Sequence, residues 1–325
     1  MKLASADAIC RYYPHIYISP HMDDAVLSCG GRIAMQSAQG ESVLVVTIFS
    51  EIDEAKAAAM MPGMPPCGLR EMQDNDETAL ERLGVDHLRL NYQDGAFRQN
   101  FPVLRYGSHL RSARRFAGVL KMIRTDLERI CSAAACRNLY FPLGIGQHID
   151  HHLAYLIGDQ FRQYPGDHPS VFFYEDIPYV FIPHALDYRL RLTGLAALPE
   201  SGGPVSVRKK IMAIYRSVRN LPTLTGNRIG RKAALLAALS AGIICMETAG
   251  KLNRYQSSNR LQPEVIDAAS FFEKKTAAIR DYQSQINIFF ENEAALRRSL
   301  KEYSRNIGGS AEQYLERCWK KVGRD

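Results

Sequence analysis

Short β-rich runs alternate with longer stretches of helical spacing through roughly the first 180 residues, and this alternation constrains the fold more than any other feature. HIYIS (15–19), SVLVVTIFS (42–50), HLRLN (87–91), NLYFPL (138–143) and VFFYE (171–175) read as strands. Residues 25–39, 70–83, 109–135 and 151–163 carry the helical pattern between them. Strand and helix taken in turn imply an α/β fold, a Rossmann-like, mainly parallel sheet with helices on both faces. In such a sheet, ligands bind outside the carboxyl ends of the strands.

The remainder reads differently. PYVFIPH, PESGGPV and LPTLTGNRIG give residues 181–262 the look of an insertion that shapes a pocket. Beyond it, 263–285, 286–305 and 310–321 read as helices, so residues 263–325 are expected to form a helical C-terminal region packed on a core of residues 1–180. At 325 residues the chain is long enough to bury a large core. The Pro/Gly-rich MMPGMPPCG (60–68) reads as a loop lying over the ligand-binding rim.

Composition narrows the function classes. Hydrophobic content of 46% and charged content of 23% are ordinary for a soluble globular protein. The longest apolar run, Ala233 to Met246, is shorter than the roughly 20 residues of a membrane span. No basic-then-apolar segment opens the chain, and its 7 scattered cysteines include no C-x-x-C pair. Reduced thiols in a cytoplasmic protein account for them better than a disulfide framework does. The net charge of +7 is concentrated in 95–125 (Arg98, Arg105, Arg111, Arg114, Arg115, Lys121, Arg124) and 201–246, neither with an acid. Solvated helix faces explain these segments, and a surface for an anionic substrate is the sharper alternative. With no nucleic-acid motif, a nucleic-acid partner ranks last.

Two clusters carry chemistry, and each directly follows an expected strand, which places both on one rim. The first, SPHMDD, holds His21, Asp23 and Asp24; the second, GIGQHIDHH (144–152), holds His148, Asp150, His151 and His152. His21 and Asp24 could share one metal with a histidine of the second cluster, as in catalytic zinc centres that use three protein ligands and one water. Asp23 could then take a proton from that water, whose pKa the metal lowers. Asp150 could accept from a ligand histidine and fix its ring. Taken singly, Asp23 or Asp24 could instead be a helix N-cap. Cys29 reads as a small core residue and Cys67 as a loop thiol.

SPHMDDAVLSCGG resembles the S-P-H-P-D-D-E-x-L-G-x-G-G opening of the PIG-L/LmbE-like zinc deacetylases, and HIDH resembles that family's H-P-D-H motif. REMQDNDETALERLGV (70–85) and LNYQDG (90–95) resemble the stretch between those motifs in order and spacing. The resemblance covers roughly residues 14–180. FYEDIPY (173–179), KTAAIRDYQSQI (275–286) and ERCW (316–319) look like a longer bacterial subgroup acting on amino-sugar natural products or glycans. Carried over by motif, the resemblance makes His21, Asp24 and His151 the zinc ligands and Asp23 the general base. His148 would stabilise the oxyanion or protonate the leaving amine, and Arg70 and Asp94 would contact a sugar. Met22 and Ala25 stand where the family has Pro and Glu. The H-x-D-H spacing selects His151 over His152, which is expected on a helix surface.

These readings combine into an expectation: a cytoplasmic hydrolase using Zn2+, or another divalent metal, to remove an N-acetyl group from an amino sugar. The rivals are an amidase on another N-acyl or thiol-conjugate substrate, and a sugar-binding homologue without turnover.

Overall fold

The computed structural model describes residues 1–51, 53, 69–95, 97–98, 116–146, 148–161, 169–181, 185–192, 260–283, 286 and 290–322. In chain order the elements are β1 (Lys2–Leu3), β2 (His15–Ser19), α1 (Asp24–Ala38), β3 (Val43–Thr47), α2 (Leu69–Leu83), β4 (Asp86–Arg89) and α3 (Ala117–Ala134). There follow β5 (Asn138–Pro142), α4 (Ile149–Gln160), β6 (Ser170–Tyr174), α5 (Ala185–Leu192), β7 (Arg260–Asp267), α6 (Phe272–Arg280), α7 (Glu293–Asn306) and β8 (Leu315–Val322).

The strands form one eight-stranded sheet in the order β1-β4-β3-β2-β5-β6-β8-β7. The first six in that order run parallel, whereas β8 pairs antiparallel with both β6 and β7. Every residue of β2 and of β3 is buried, as strands covered on both faces require. Alternation along β2 divides the interior. Ile16 and Ile18 join a core with α3 and α4 residues Leu127, Ile130, Leu153 and Leu156. Tyr17, between them, faces the core built with α1, α2 and α6 residues Ile33, Leu80 and Ile279.

The α/β architecture expected from the alternating pattern is the one observed. The C-terminal part departs from expectation. Helices occupy 272–280 and 293–306, but residues 260–267 and 315–322 are strands, so the short helix expected at 310–321 is absent and the region completes the sheet. Buried, paired charges concealed β8 from a reading of hydrophobic pattern. Glu316 accepts from the Gly31 and Arg32 amides of α1 (2.9 and 2.8 Å) and from Lys275 Nζ (2.8 Å). Lys321 donates to the carbonyls of Asp159 and Phe161 at 2.6 and 3.0 Å. Such residues sit in an interior only when paired, and their partners lie far away in sequence. Nearly all of the 181–262 insertion, the 60–68 loop and the 201–246 basic segment lie outside the described residues.

Candidate active site

β2 and β5 are neighbours, yet their chains leave in opposite directions: α1 leads from β2 to β3, and α4 leads from β5 to β6. The crevice between their carboxyl ends is therefore the switch point of the sheet. Both sequence clusters converge there.

The turn after β2 is held by Ser19, whose hydroxyl donates to the His21 carbonyl (2.5 Å) and accepts from the Ala25 amide (3.0 Å). Asp24 Oδ2 accepts from the His21 amide at 2.8 Å. Asp23 stands at the N-cap position of α1, but its side chain makes no capping hydrogen bond. The helix-end explanation of Asp23 thus fails, and its half-buried carboxylate is left for the crevice. Met22 and Ala25 are buried apolar residues.

Asp24 is the centre of the arrangement. Its Oδ2 lies 3.1 Å from His21 Nδ1 and 3.2 Å from His151 Nε2. His151 Nε2 is buried and, at that short distance, makes no aligned hydrogen bond with any described residue. These separations are close to those between neighbouring ligands about 2 Å from a common tetrahedral centre. Each ring's other nitrogen faces a carboxylate. His21 Nε2 is 3.2 Å from Asp150 Oδ2 and 3.5 Å from Asp94 Oδ2, and His151 Nδ1 is 2.6 Å from Asp176 Oδ1. Two imidazoles with inner nitrogens on one carboxylate and outer nitrogens held by others form a donor set that fits a divalent cation. Ligand atoms of His21, His148 and His151 also fall within 4.8 Å of one another, as do those of His21, Asp94 and Asp150.

The electrostatics agree with this fit. Burial disfavours charge on His21, but Asp94, Asp150 and Asp24 outweigh it and hold its pKa well above the ordinary value. Burial likewise opposes protonation of His151, and Asp24 and Asp176 overcome it, raising the pKa to about 9. Asp24 stays ionised against its burial because His151 and His21 face it. The rings thus hold protons where a cation's charge would sit, and binding would release them. Asp23 differs: burial, then the adjacent Asp24 carboxylate, push its pKa up to about 7. His148 is held neutral, its pKa lowered to about 3 by burial and by His21. Its Nδ1 accepts from the Asp150 amide at 3.3 Å, which leaves the ring proton on Nε2.

Asp150 is fully buried and pinned from three sides, by His21, by the Gly95 amide (2.7 Å) and by Arg98. A Cβ on Gly95 would come within 2.8 and 2.9 Å of its carboxylate oxygens, so only glycine allows this approach. His21 and Arg98, after the opposing burial, keep Asp150 ionised with a pKa of about 2.

His21, Asp24, Asp94, His148, Asp150 and His151 are thus brought together, with Asp23 beside them. Arg70, the second residue of α2, is exposed and makes no hydrogen bond or ion pair with this cluster. Two readings need correction, and one residue was missed. His152 is buried and stacked beside Tyr155 rather than on a helix surface, because α4 is packed nearly all round. Arg98 is not a solvated face but a partner of Asp150, lying over the Phe49 ring at 4.5 Å. Asp176 went unrecognised: FYEDIPY marked its neighbourhood, but no spacing ties it to His151. Cys29 is buried as expected, and Cys67 lies outside the described residues.

Residues 16–161 match the family described as PIG-L, GlcNAc-PI de-N-acetylase. The match marks this segment, a little under half of the chain, as similar to that family. No curated protein gives a sequence match. The zinc-inhibited form of teicoplanin deacetylase Orf2 is similar over 97% of this chain and 99% of that one, with a TM-score of 0.60 at 20% identity. The deacetylase–teicoplanin complex covers 97% and 99%, with a TM-score of 0.59 at 19% identity. The A40926 pseudoaglycone deacetylase covers 95% and 97%, with a TM-score of 0.57 at 20% identity. The shared fold therefore extends beyond the PIG-L segment to the β7–β8 end of the chain.

Proposed function

We propose that the protein is a cytoplasmic, zinc-dependent N-deacetylase acting on an amino sugar of a glycan or glycoside. The observation that carries this reading is the convergence at the switch point of two imidazole nitrogens on Asp24 with an uncapped Asp23 carboxylate beside them. The PIG-L match over 16–161 supports it, and the similarly folded proteins are deacetylases by name. No helix among the described residues is long and apolar enough to cross a membrane, and five described cysteines are free.

His21, Asp24 and His151 would hold the cation. Bound there, it would supply Lewis acidity, lowering the pKa of water and polarising the amide carbonyl. The Asp23 carboxylate takes a proton from the attacking water as its oxygen bonds the acetyl carbon. His148, neutral and protonated on Nε2, donates to the carbonyl oxygen as it gains negative charge. The C–N bond then breaks, the proton held by Asp23 passes to the departing nitrogen, and acetate and the free amine leave. Asp150 keeps His21 oriented, and Asp94 and Arg70 are the sugar-contacting residues of this reading.

The test measures zinc per chain beside acetate release from N-acetylated amino sugars. His21→Ala, Asp24→Ala and His151→Ala should each lose both. Stoichiometric zinc in all three variants would refute the ligand assignment. A zinc-loaded wild-type protein that bound such sugars without releasing acetate would refute the activity.

A further inference from the structure

We propose that Asp176 is a positioning residue: by accepting from His151 Nδ1–H it keeps that proton in place and leaves Nε2, which faces Asp24, as the nitrogen that gives up its proton to a cation. The inference rests on the reading of His151 as a cation ligand. It adds to the site a residue that lies beyond the PIG-L segment, which ends at 161.

The carboxylate is held so that it can do little else. Its Oδ2 accepts from the backbone amides of Gly144 and Ile145 at 2.7 and 3.0 Å, leaving Oδ1 for His151 Nδ1 at 2.6 Å. Gly144 takes a φ of +77°, a left-handed conformation open to glycine, and so allows the two consecutive amides to converge. On one side, the Ile177 amide donates to Ser28 Oγ of α1 at 3.1 Å. On the other, Glu175 accepts from Tyr303 Oη (2.8 Å), Arg317 Nε (2.6 Å) and Trp319 Nε1 (2.8 Å). Asp176 is therefore wired through its neighbour to α7 and β8, and the C-terminal strand helps to fix a residue at the crevice. Asp150 does the equivalent for His21 from within the PIG-L segment. Nδ1 has an aligned acceptor at 2.6 Å and Nε2 has none among the described residues, so Nδ1 keeps its proton and Nε2 is the nitrogen that yields one to a cation.

Asp176→Asn tests this at nearly constant shape. Two backbone donors on one oxygen fix the new side chain with its amide oxygen toward Gly144 and Ile145. Its NH2 group then faces His151 Nδ1, which must become an acceptor, and the ring proton moves to Nε2, where it blocks ligation. Two measurements read the change: the zinc dissociation constant by chelator competition, and nitrogen-15 spectra of the cation-free imidazoles at pH 10. The variant is expected to bind zinc about 10- to 100-fold more weakly. Its His151 should carry the proton on Nε2, against Nδ1 in the wild type, with an unchanged unfolding midpoint. Unchanged zinc affinity, or weakened affinity with the Nδ1–H tautomer retained, overturns the proposal. If the variant does not fold, the wild-type spectrum decides, because an Nε2–H tautomer there overturns it alone. A wild-type protein that binds no divalent cation would count against the proposed function instead, while the tautomers would still report on Asp176.

Discussion

Replacing Asp23 by Asn should stabilise the cation-free protein while abolishing most of its turnover. The pKa of Asp23 rises from 3.8 to about 7, so at neutral pH the folded state carries a carboxylate it disfavours. At about 1.4 kcal/mol per unit, a shift of about three units corresponds to roughly 4 kcal/mol. Asp23 keeps partial exposure and shares the penalty with Asp24, so about half of that, ~2 kcal/mol, is the working figure. The sign follows from proton counting. Between the unfolded and folded pKa values the native state binds the extra proton, so stability falls as pH rises through that window and levels off above about 7. The gain from Asp23→Asn should therefore be under ~1 kcal/mol at pH 5 and about 2 kcal/mol at pH 8. For a chain of this size, the latter is an upward shift of roughly 3 °C in Tm. The assay is thermal unfolding of EDTA-treated wild type and variant at both pH values, beside zinc content and acetate release. Turnover should fall about 10²- to 10⁴-fold, the usual share of a positioned base, with zinc retained. A variant no more stable than wild type at pH 8 would refute the argument that burial and Asp24 strain this carboxylate.

Other perturbations separate the remaining roles. His148→Ala should keep zinc and slow acetate release by about 10²- to 10³-fold, the loss of one oxyanion donor; loss of zinc instead would make His148 a ligand. Gly95→Ala forces a methyl to within 2.7 Å of Ile149 and against Asp150, and should cost about 1–3 kcal/mol by denaturant titration and weaken zinc binding; a neutral result would mean the backbone at Gly95 yields freely. Glu175→Ala strands Arg317 and the Tyr303 and Trp319 donors, so a loss of about 3–5 kcal/mol is expected in the same titration, and under 1 kcal/mol would show that β8 docks without it.

The parallel core was legible because its signals are local. HIYIS reads as a strand from five consecutive residues, and the structure places β2 at His15–Ser19. The helix expected over 70–83 appears at Leu69–Leu83. The histidine and aspartate clusters were legible for the same reason, as their spacing and position after strands put them on one rim. The readings that failed depended on neighbours distant in sequence. His152 and Arg98 were expected at the surface by residue type, and each is buried or paired through chain segments that no spacing connects to it.

What the sequence determined by itself is the α/β alternation, the rim that carries both clusters, and the residue types gathered there, since hydrophobic period and motif spacing are properties of a few consecutive residues. The tertiary structure alone decided that β8 joins the sheet, that Glu316 and Lys321 are interior, and that Asp176 rather than another acid meets His151. A buried charge is tolerated only beside its partner, and Glu316 with Lys275, or Asp176 with His151, become partners when the folded chain brings together residues 41 and 25 positions apart.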